Sequence, residues 1–168
     1  MNKQELLARR DFNMVHGVTV RAIGAFTDEE LDFRPRPVRT PRELIFHIYA
    51  QERLLAEAAQ QGRFTMEAAS RSNPEDEAGA SALNALRTVS DIRAYADACH
   101  QAAERIFRTM SEDDINRPVE SPLGRYPAWQ YFSFAYDEHW HHRGQLYSYL
   151  RLLGKEPPML YDYGAGEL

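Results

Sequence analysis

The sequence predicts an all-α protein that folds as a four-helix bundle. Four long segments place apolar residues at helical spacing, and long polar stretches separate them. Some of these segments also carry recognisable start and stop signals for helices. The chain shows no internal repeat and no second region with a core pattern of its own, so we expect one domain over residues 1–168.

The first helical pattern extends from Lys3 to Phe26. Its apolar positions recur at roughly helical spacing, and they are Leu6, Leu7, Phe12, Val15, Val18 and Ile23. The polar stretch that follows contains Pro35 and Pro37, which favour extended backbone. We therefore predict one continuous helix followed by an irregular link.

The second helix has the clearest boundaries. Thr40 is a suitable N-cap, Pro41 occupies the first helical position, and Glu43 completes a capping box. The glycine at position 62 predicts that the helix ends after Gln61. Residues 65–88 are rich in alanine, serine, asparagine and acidic residues, and we interpret them as a long connection that contains a short helix.

The third and fourth helices are predicted from Ser90 to Met110 and from Pro127 to Leu153. In the link between them, the stretch from Val119 to Arg125 indicates a hairpin-like turn over one end of the bundle. Gly154 and the prolines after it end the last helix. The tail, residues 159–168, shows no periodicity.

Charge and cysteine content exclude several classes of function. The net charge of −5 comes without a basic stripe, so we expect no nucleic-acid partner. No apolar run is long enough for a membrane span, and the N-terminus lacks the apolar core of a signal peptide. The single cysteine, Cys99, cannot form an internal disulfide and lies in an apolar helical pattern, which predicts a core residue in a cytoplasmic protein.

Three of the six histidines lie close together in the segment DEHWHHRGQ, residues 137–145. Glu138 and His142 are four residues apart, so they share one face of a helix with the apolar stripe that includes Leu146. His139 and His141 fall toward opposite edges of that stripe. Trp140 and Arg143 point elsewhere, and for Arg143 we expect hydrogen bonds on the helix surface.

The second helix repeats this arrangement, because His47 lies on its apolar stripe and Gln51 follows one turn later. A buried histidine and a buried glutamate are costly without partners, and a shared metal ion would satisfy both. The alternative for His47 is a hydrogen-bonded core residue, and for the Glu-His spacing it is a solvated helix face. Spacing alone leaves these alternatives open.

Two segments resemble the DinB-like/YfiT superfamily. The segment HHRGQLYSYLRLLGKEPP, residues 141–158, resembles that family's last helix, and RELIFHIYAQERLL, residues 42–55, resembles its second helix. The resemblance implies an up-down-down-up four-helix bundle. It also implies a metal site formed by one histidine of the second helix and an HxxxH pair of the last helix.

Carried over to this chain, the implied ligands are His47, Glu138 and His142. Position 138 departs from the family pattern, because a glutamate stands where the family has the first histidine of its pair. Two histidines and one carboxylate are a familiar ligand set for zinc and for non-haem iron. His139 is the alternative ligand if the helix is slightly rotated.

The resemblance implies a metal-dependent enzyme with one divalent ion, which we expect to be zinc, nickel, iron or manganese. Three protein ligands leave a position for water or substrate. Some members of the family resemble S-transferases for low-molecular-weight thiols such as bacillithiol or mycothiol, and others resemble hydrolases or isomerases. The alternative is a non-catalytic, stress-related protein that binds a metal or a small ligand.

The remaining notable residues receive structural interpretations. We expect Gln145 to orient a metal ligand from outside the coordination sphere. Trp140 and Tyr147 share the outward side of the last helix, where they either pack against another helix or form an interface patch. Gly144 in mid-helix permits close helix approach, either within the bundle or across a dimer, and from the interface alternative we predict a homodimer. His16 and His100 have no companions in the sequence and are interpreted as structural.

Overall fold

The computed structural model describes residues 1–35 and 37–159. Within these residues it contains eight α-helices, one 3₁₀ turn and one short antiparallel hairpin. In chain order the elements are α1 (Lys3–Arg9), α2 (Phe12–Ile23), a 3₁₀ turn (Glu29–Asp32), α3 (Pro41–Gln61), α4 (Met66–Ser70), α5 (Glu77–Leu83), α6 (Val89–Thr109), α7 (Glu112–Asn116), β1 (Pro118–Ser121), β2 (Gly124–Pro127) and α8 (Ala128–Leu152).

The four long helices α2, α3, α6 and α8 form the predicted bundle. Both α2 and α3 pack against α6 and against α8. On α3, His47 contacts His142 while Glu52, further along, contacts His139, so α3 and α8 are antiparallel. Since Phe46 stacks on Tyr95 and Glu52 contacts a later residue of α6, α3 and α6 run parallel.

Helix α2 completes the up-down-down-up arrangement. Phe12 contacts Phe107, whereas His16 stacks on His100, so α2 and α6 are antiparallel. The predicted fold class is therefore confirmed. Within the described residues, no helix has the length and apolar character that crossing a membrane requires.

The prediction of one continuous helix from Lys3 to Phe26 is wrong. The chain breaks between α1 and α2, where the Asp11 side chain accepts a hydrogen bond from the Met14 backbone N–H at 2.8 Å and starts a new helix. A short acidic side chain competes well for helix N–H groups, so it favours an N-cap over a helix interior. Because the apolar spacing continues across the break, the sequence pattern does not indicate it.

Helix α3 begins and ends as predicted. The Thr40 side chain accepts from the Glu43 N–H, and the Glu43 carboxylate accepts from the Thr40 N–H at 2.7 Å. Gly62 ends the helix with a left-handed φ of 73°. The hairpin predicted over the bundle end is confirmed as β1 and β2, and the tail prediction concerns residues that, apart from Met159, lie outside the described part of the chain.

The long connection from α3 to α6 contains two short helices, α4 and α5, where one was expected. Gly79 on α5 lies so close to the backbone of Asn73 that an added Cβ would stand 1.9 Å from its carbonyl oxygen. This close approach holds the turn that contains Ser72, a residue that is 1% exposed. The connection thereby places the Ser72 carbonyl against α3.

The core consists of two apolar clusters separated by a polar layer. One cluster lies near the hairpin and includes Leu6, Phe107 and Ile115, and the other lies at the opposite end and includes Ile92 and Leu146. Between them, each long helix contributes polar side chains to the interior. The buried polar residues at this level are Thr19, Glu52, His100 and His139.

Candidate metal site

The structure brings together the three residues that the sequence indicated as metal ligands. His47 lies on α3, Glu138 and His142 lie one turn apart on α8, and one ligand atom of each lies within 4.8 Å of the others. Glu138 Oε2 is 3.1 Å from His142 Nε2 and 3.7 Å from His47 Nε2. These separations suit three groups around one small ion.

Both imidazoles are oriented by a carbonyl oxygen. His47 Nδ1 lies 2.7 Å from the Ser72 backbone oxygen, and His142 Nδ1 lies 2.7 Å from Gln145 Oε1. A carbonyl oxygen only accepts hydrogen bonds, so Nδ1 carries the proton on each ring. The neutral rings then present the Nε2 lone pairs toward Glu138. Metal-binding histidines are commonly held in this way.

The carboxylate of Glu138 supplies a test of whether a metal fits. Its Oε2 atom is buried and accepts no hydrogen bond from any described residue. Two imidazole lone pairs and one carboxylate oxygen therefore face one another, and such an arrangement is repulsive without a cation between them. A divalent ion would satisfy all three atoms at once.

The protonation states at neutral pH also suit a metal. The pKa of His47 is lowered, mainly by burial, and the Arg39 guanidinium adds to the effect. A neutral imidazole and an ionised carboxylate are the forms that bind metal ions.

The site is open on one side. The side chains of His47 and His142 are 9% and 12% exposed, whereas that of Glu138 is 34% exposed. Solvent therefore reaches part of the Glu138 side chain. Arg39 lies near His47 and is held by two 2.8 Å contacts to Glu75.

His139, the alternative ligand, points away from this group. It is 1% exposed, and its Nδ1 lies 3.0 Å from Thr19 Oγ1. The Thr19 hydroxyl donates to the Val15 carbonyl oxygen, so it accepts from His139. The Nε2 atom of His139 lies 3.3 Å from Glu52 Oε2. Thr19 and Glu52, and not the candidate metal ligands, therefore hold this ring.

His16 and His100, which have no companions nearby in the sequence, have close ones in the fold. Their rings stack with centroids 3.9 Å apart, and His100 Nδ1 donates to Glu52 Oε1 at 2.8 Å. Burial and the neighbouring His100 lower the pKa of His16 to about 4. Burial alone would raise the pKa of Glu52, but the hydrogen bonds and charges of its two histidine partners outweigh burial and lower it to about 2.

The sequence contains one signal for this network, which is the position of Glu52 on its helix. Glu52 shares its helix face with apolar residues four positions before it and three after it, Ile48 and Leu55. That spacing places a carboxylate on the buried face of α3. Such a carboxylate requires donors, and the histidines of α6 and α8 supply them.

The expectation for Arg143 is also wrong. Arg143 is 1% exposed, and its guanidinium lies 3.9 Å from the centre of the Trp140 ring. Tyr147, expected on the outward side, is 9% exposed. Above Gly144, an added Cβ would meet no described atom within 4 Å, so close approach inside the bundle does not explain this glycine.

Comparison with known proteins agrees with this fold. The family model of the DinB superfamily matches residues 12–146, and the chain therefore belongs to that superfamily. The crystal structure of the DinB-like protein YjoA from Bacillus subtilis matches with a TM-score of 0.68 and 19% sequence identity, covering 92% of this chain and 96% of that one. At that identity the likeness shows the fold. No curated protein matches the sequence.

Proposed function

We propose that the protein is a divalent-metal-dependent enzyme that acts on a small molecule beside His47, Glu138 and His142. The observation that carries the proposal is the pair of imidazole Nε2 atoms that face the buried, unpartnered Oε2 of Glu138. When bound, a divalent ion would supply Lewis-acid chemistry at the open side of the site.

Different residues of the chain would have different roles around that ion. Ser72 and Gln145 hold the rings of His47 and His142, so the ligand atoms need little reorganisation on binding. Glu138 contributes one negative charge, which makes the bound ion a weaker Lewis acid than an all-histidine site would. Zinc, nickel, iron and manganese all accept this ligand set.

For the reaction, we propose S-transfer from a low-molecular-weight thiol such as bacillithiol or mycothiol, with hydrolysis as the second reaction class. The resemblance to the superfamily supports this choice.

A non-catalytic, stress-related binding protein is the second candidate. The observation in its favour is the state of the single thiol, because Cys99 is buried and burial raises its pKa to about 11. The chain therefore offers no reactive cysteine as a nucleophile. In this reading the site holds a metal or a small ligand without turnover.

Elemental analysis tests the metal first. Protein purified without a metal-affinity tag should contain close to one divalent ion per chain. His47→Ala and His142→Ala should each lose it, and Glu138→Ala should weaken binding strongly. His141→Ala changes an exposed histidine of the same helix and should keep the ion. Metal-free protein after loading with each of the four metals would reject the proposal.

A thiol assay then separates the two candidates. The metal-loaded wild type and Glu138→His are each offered bacillithiol, mycothiol and glutathione with monochlorobimane as the electrophile. Faster conjugation than the metal-free protein would support the transferase. Rates equal to the metal-free protein with all three thiols would reject thiol transfer and favour the binding protein.

A further inference from the structure

A cavity of about 420 Å³ lies between the helices on the side of the bundle near the hairpin. None of the three candidate metal ligands lines it. Its lining includes the exposed residues Leu7 and Asp11, so the cavity is open to solvent. Its volume falls in the range of small-molecule sites.

Three phenylalanine rings form one wall of the cavity. Phe12, Phe107 and Phe132 meet with ring centroids 5.1 to 6.2 Å apart, at tilted or edge-on angles. Ala103 and Ala135 leave open space beside them. Aromatic rings prefer this edge-to-face packing, so a further flat ring would fit against the wall.

Another part of the cavity lining is polar. Glu52, His100 and Asn13 line it, and His100 lies between the other two with contacts of 2.8 Å and 2.9 Å. Each carboxylate oxygen can accept more than one hydrogen bond. Glu52 therefore keeps capacity for a donor that enters from the cavity.

The charged side chains around the cavity carry both signs, and each already makes contacts within the protein. Glu104 accepts from Arg108 at 2.6 Å, and Lys3 Nζ donates to carbonyl oxygens near the end of α6. Asp11 caps α2, and Glu52 has its histidine partners. A charged ligand would lose its hydration and would meet charges of both signs, so the lining offers it no net compensation. The lining thus favours an uncharged occupant.

We propose that this cavity is a second binding site, which takes a small uncharged aromatic molecule whose hydroxyl or N–H group donates to Glu52. The phenylalanine wall holds the ring, and the carboxylate selects the donor.

An NMR titration with four matched probes tests the proposal. The probes are 4-ethylphenol, ethylbenzene, 4-ethylbenzoate and 4-ethylbenzylamine. We expect 4-ethylphenol to shift amide signals of α2 and α6 around the cavity. Ethylbenzene lacks the donor and should bind at least about tenfold more weakly. The two ions should bind more weakly than 4-ethylphenol. Equal binding of all four probes would overturn the proposal.

Three variants locate the site. Ala103→Leu fills the cavity without changing its charge and should weaken 4-ethylphenol binding at least about tenfold. Glu52→Gln removes the charged acceptor and should weaken it about fivefold or more. Glu57→Gln makes the same change outside the cavity and should have no effect.

If Glu52→Gln does not fold, the Ala103→Leu variant and the comparison of 4-ethylphenol with ethylbenzene still test the proposed site. Unchanged binding of 4-ethylphenol by folded Ala103→Leu would refute the assignment. A His47→Ala protein, which should lack metal, is expected to bind 4-ethylphenol like the wild type. This outcome separates the cavity from the proposed metal site.

Discussion

Replacing Glu52 by glutamine should change how the free energy of unfolding depends on pH. The residue is 5% exposed, and its carboxylate oxygens lie 2.8 Å from His100 Nδ1 and 3.3 Å from His139 Nε2. Burial opposes ionisation, but the histidine hydrogen bonds and charges outweigh it and lower the pKa from 4.5 to about 2. The native state therefore resists protonation of this group.

The size of the effect follows from that difference. Each pKa unit corresponds to about 1.4 kcal/mol, so the ionised carboxyl contributes about 3 kcal/mol to the free energy of unfolding at neutral pH. Because the native pKa is the lower one, this contribution is present above pH 4.5 and is lost as the pH falls toward 2. Between about pH 6 and about pH 3, about 2 kcal/mol of it should disappear.

Urea denaturation of wild type and Glu52→Gln at about pH 6 and about pH 3 measures this difference. The gap in the free energy of unfolding should narrow by about 2 kcal/mol at the lower pH. Glu57→Gln is the control, because Glu57 belongs to the same helix but pairs with the exposed Arg53. If the free energy of unfolding changed with pH by the same amount in wild type and Glu52→Gln, the network would not hold Glu52 ionised.

Four further predictions follow from other parts of the molecule. The pKa of His16 is about 4 instead of 6.5, so the stability that depends on its neutral form should be fully present above pH 6.5 and should be lost as the pH falls toward 4. Denaturation curves of His16→Phe should show a loss that is smaller by about 3 kcal/mol. If the free energy of unfolding of His16→Phe depended on pH as steeply as that of the wild type, this prediction would be wrong. Zinc at about a hundred times its Kd should raise Tm by about 5–10 °C, an effect that His47→Ala abolishes and His141→Ala retains. Native Cys99, which is 1% exposed, should react with iodoacetamide only as fast as the protein opens, and rapid labelling would disprove burial. Light scattering should show a homodimer that Gly144→Leu dissociates, and a wild-type monomer at high micromolar concentration would count against it.

The helices of the bundle were predictable because local chemistry defines them. The capping box of Thr40 and Glu43 and the glycine after Gln61 act within a few residues of the chain, so sequence alone located α3. The break at Asp11 was missed, since apolar spacing continues through it and the side-chain cap competes with that signal. The second short helix of the long connection was missed for the opposite reason, because its periodic segment is too short to recognise.

The candidate metal ligands were predictable because two of them are one helical turn apart and the third lies on an apolar stripe. The buried network was not predicted, because it needs contacts between residues far apart in the chain, such as His16 with His100 and His139 with Glu52. The burial of Arg143 was missed for a different reason. Position 143 lies off the apolar stripe of the helix and was therefore assigned to its surface, although stacking on Trp140 lets the planar guanidinium pack inside.

Consecutive residues of α8 separate the two polar sites of this protein. Neighbouring side chains on a helix differ by about 100°, whereas those four apart differ by about 40°. Glu138 and His142 therefore face one side, and His139 faces Glu52 on another. The helix cannot turn to exchange position 138 for 139, because Leu146, at 0% exposure, fixes its orientation in the core. A substitution at Glu138 thus changes the charge at the candidate metal site and leaves the Glu52 network intact, which makes the two sites separable by experiment.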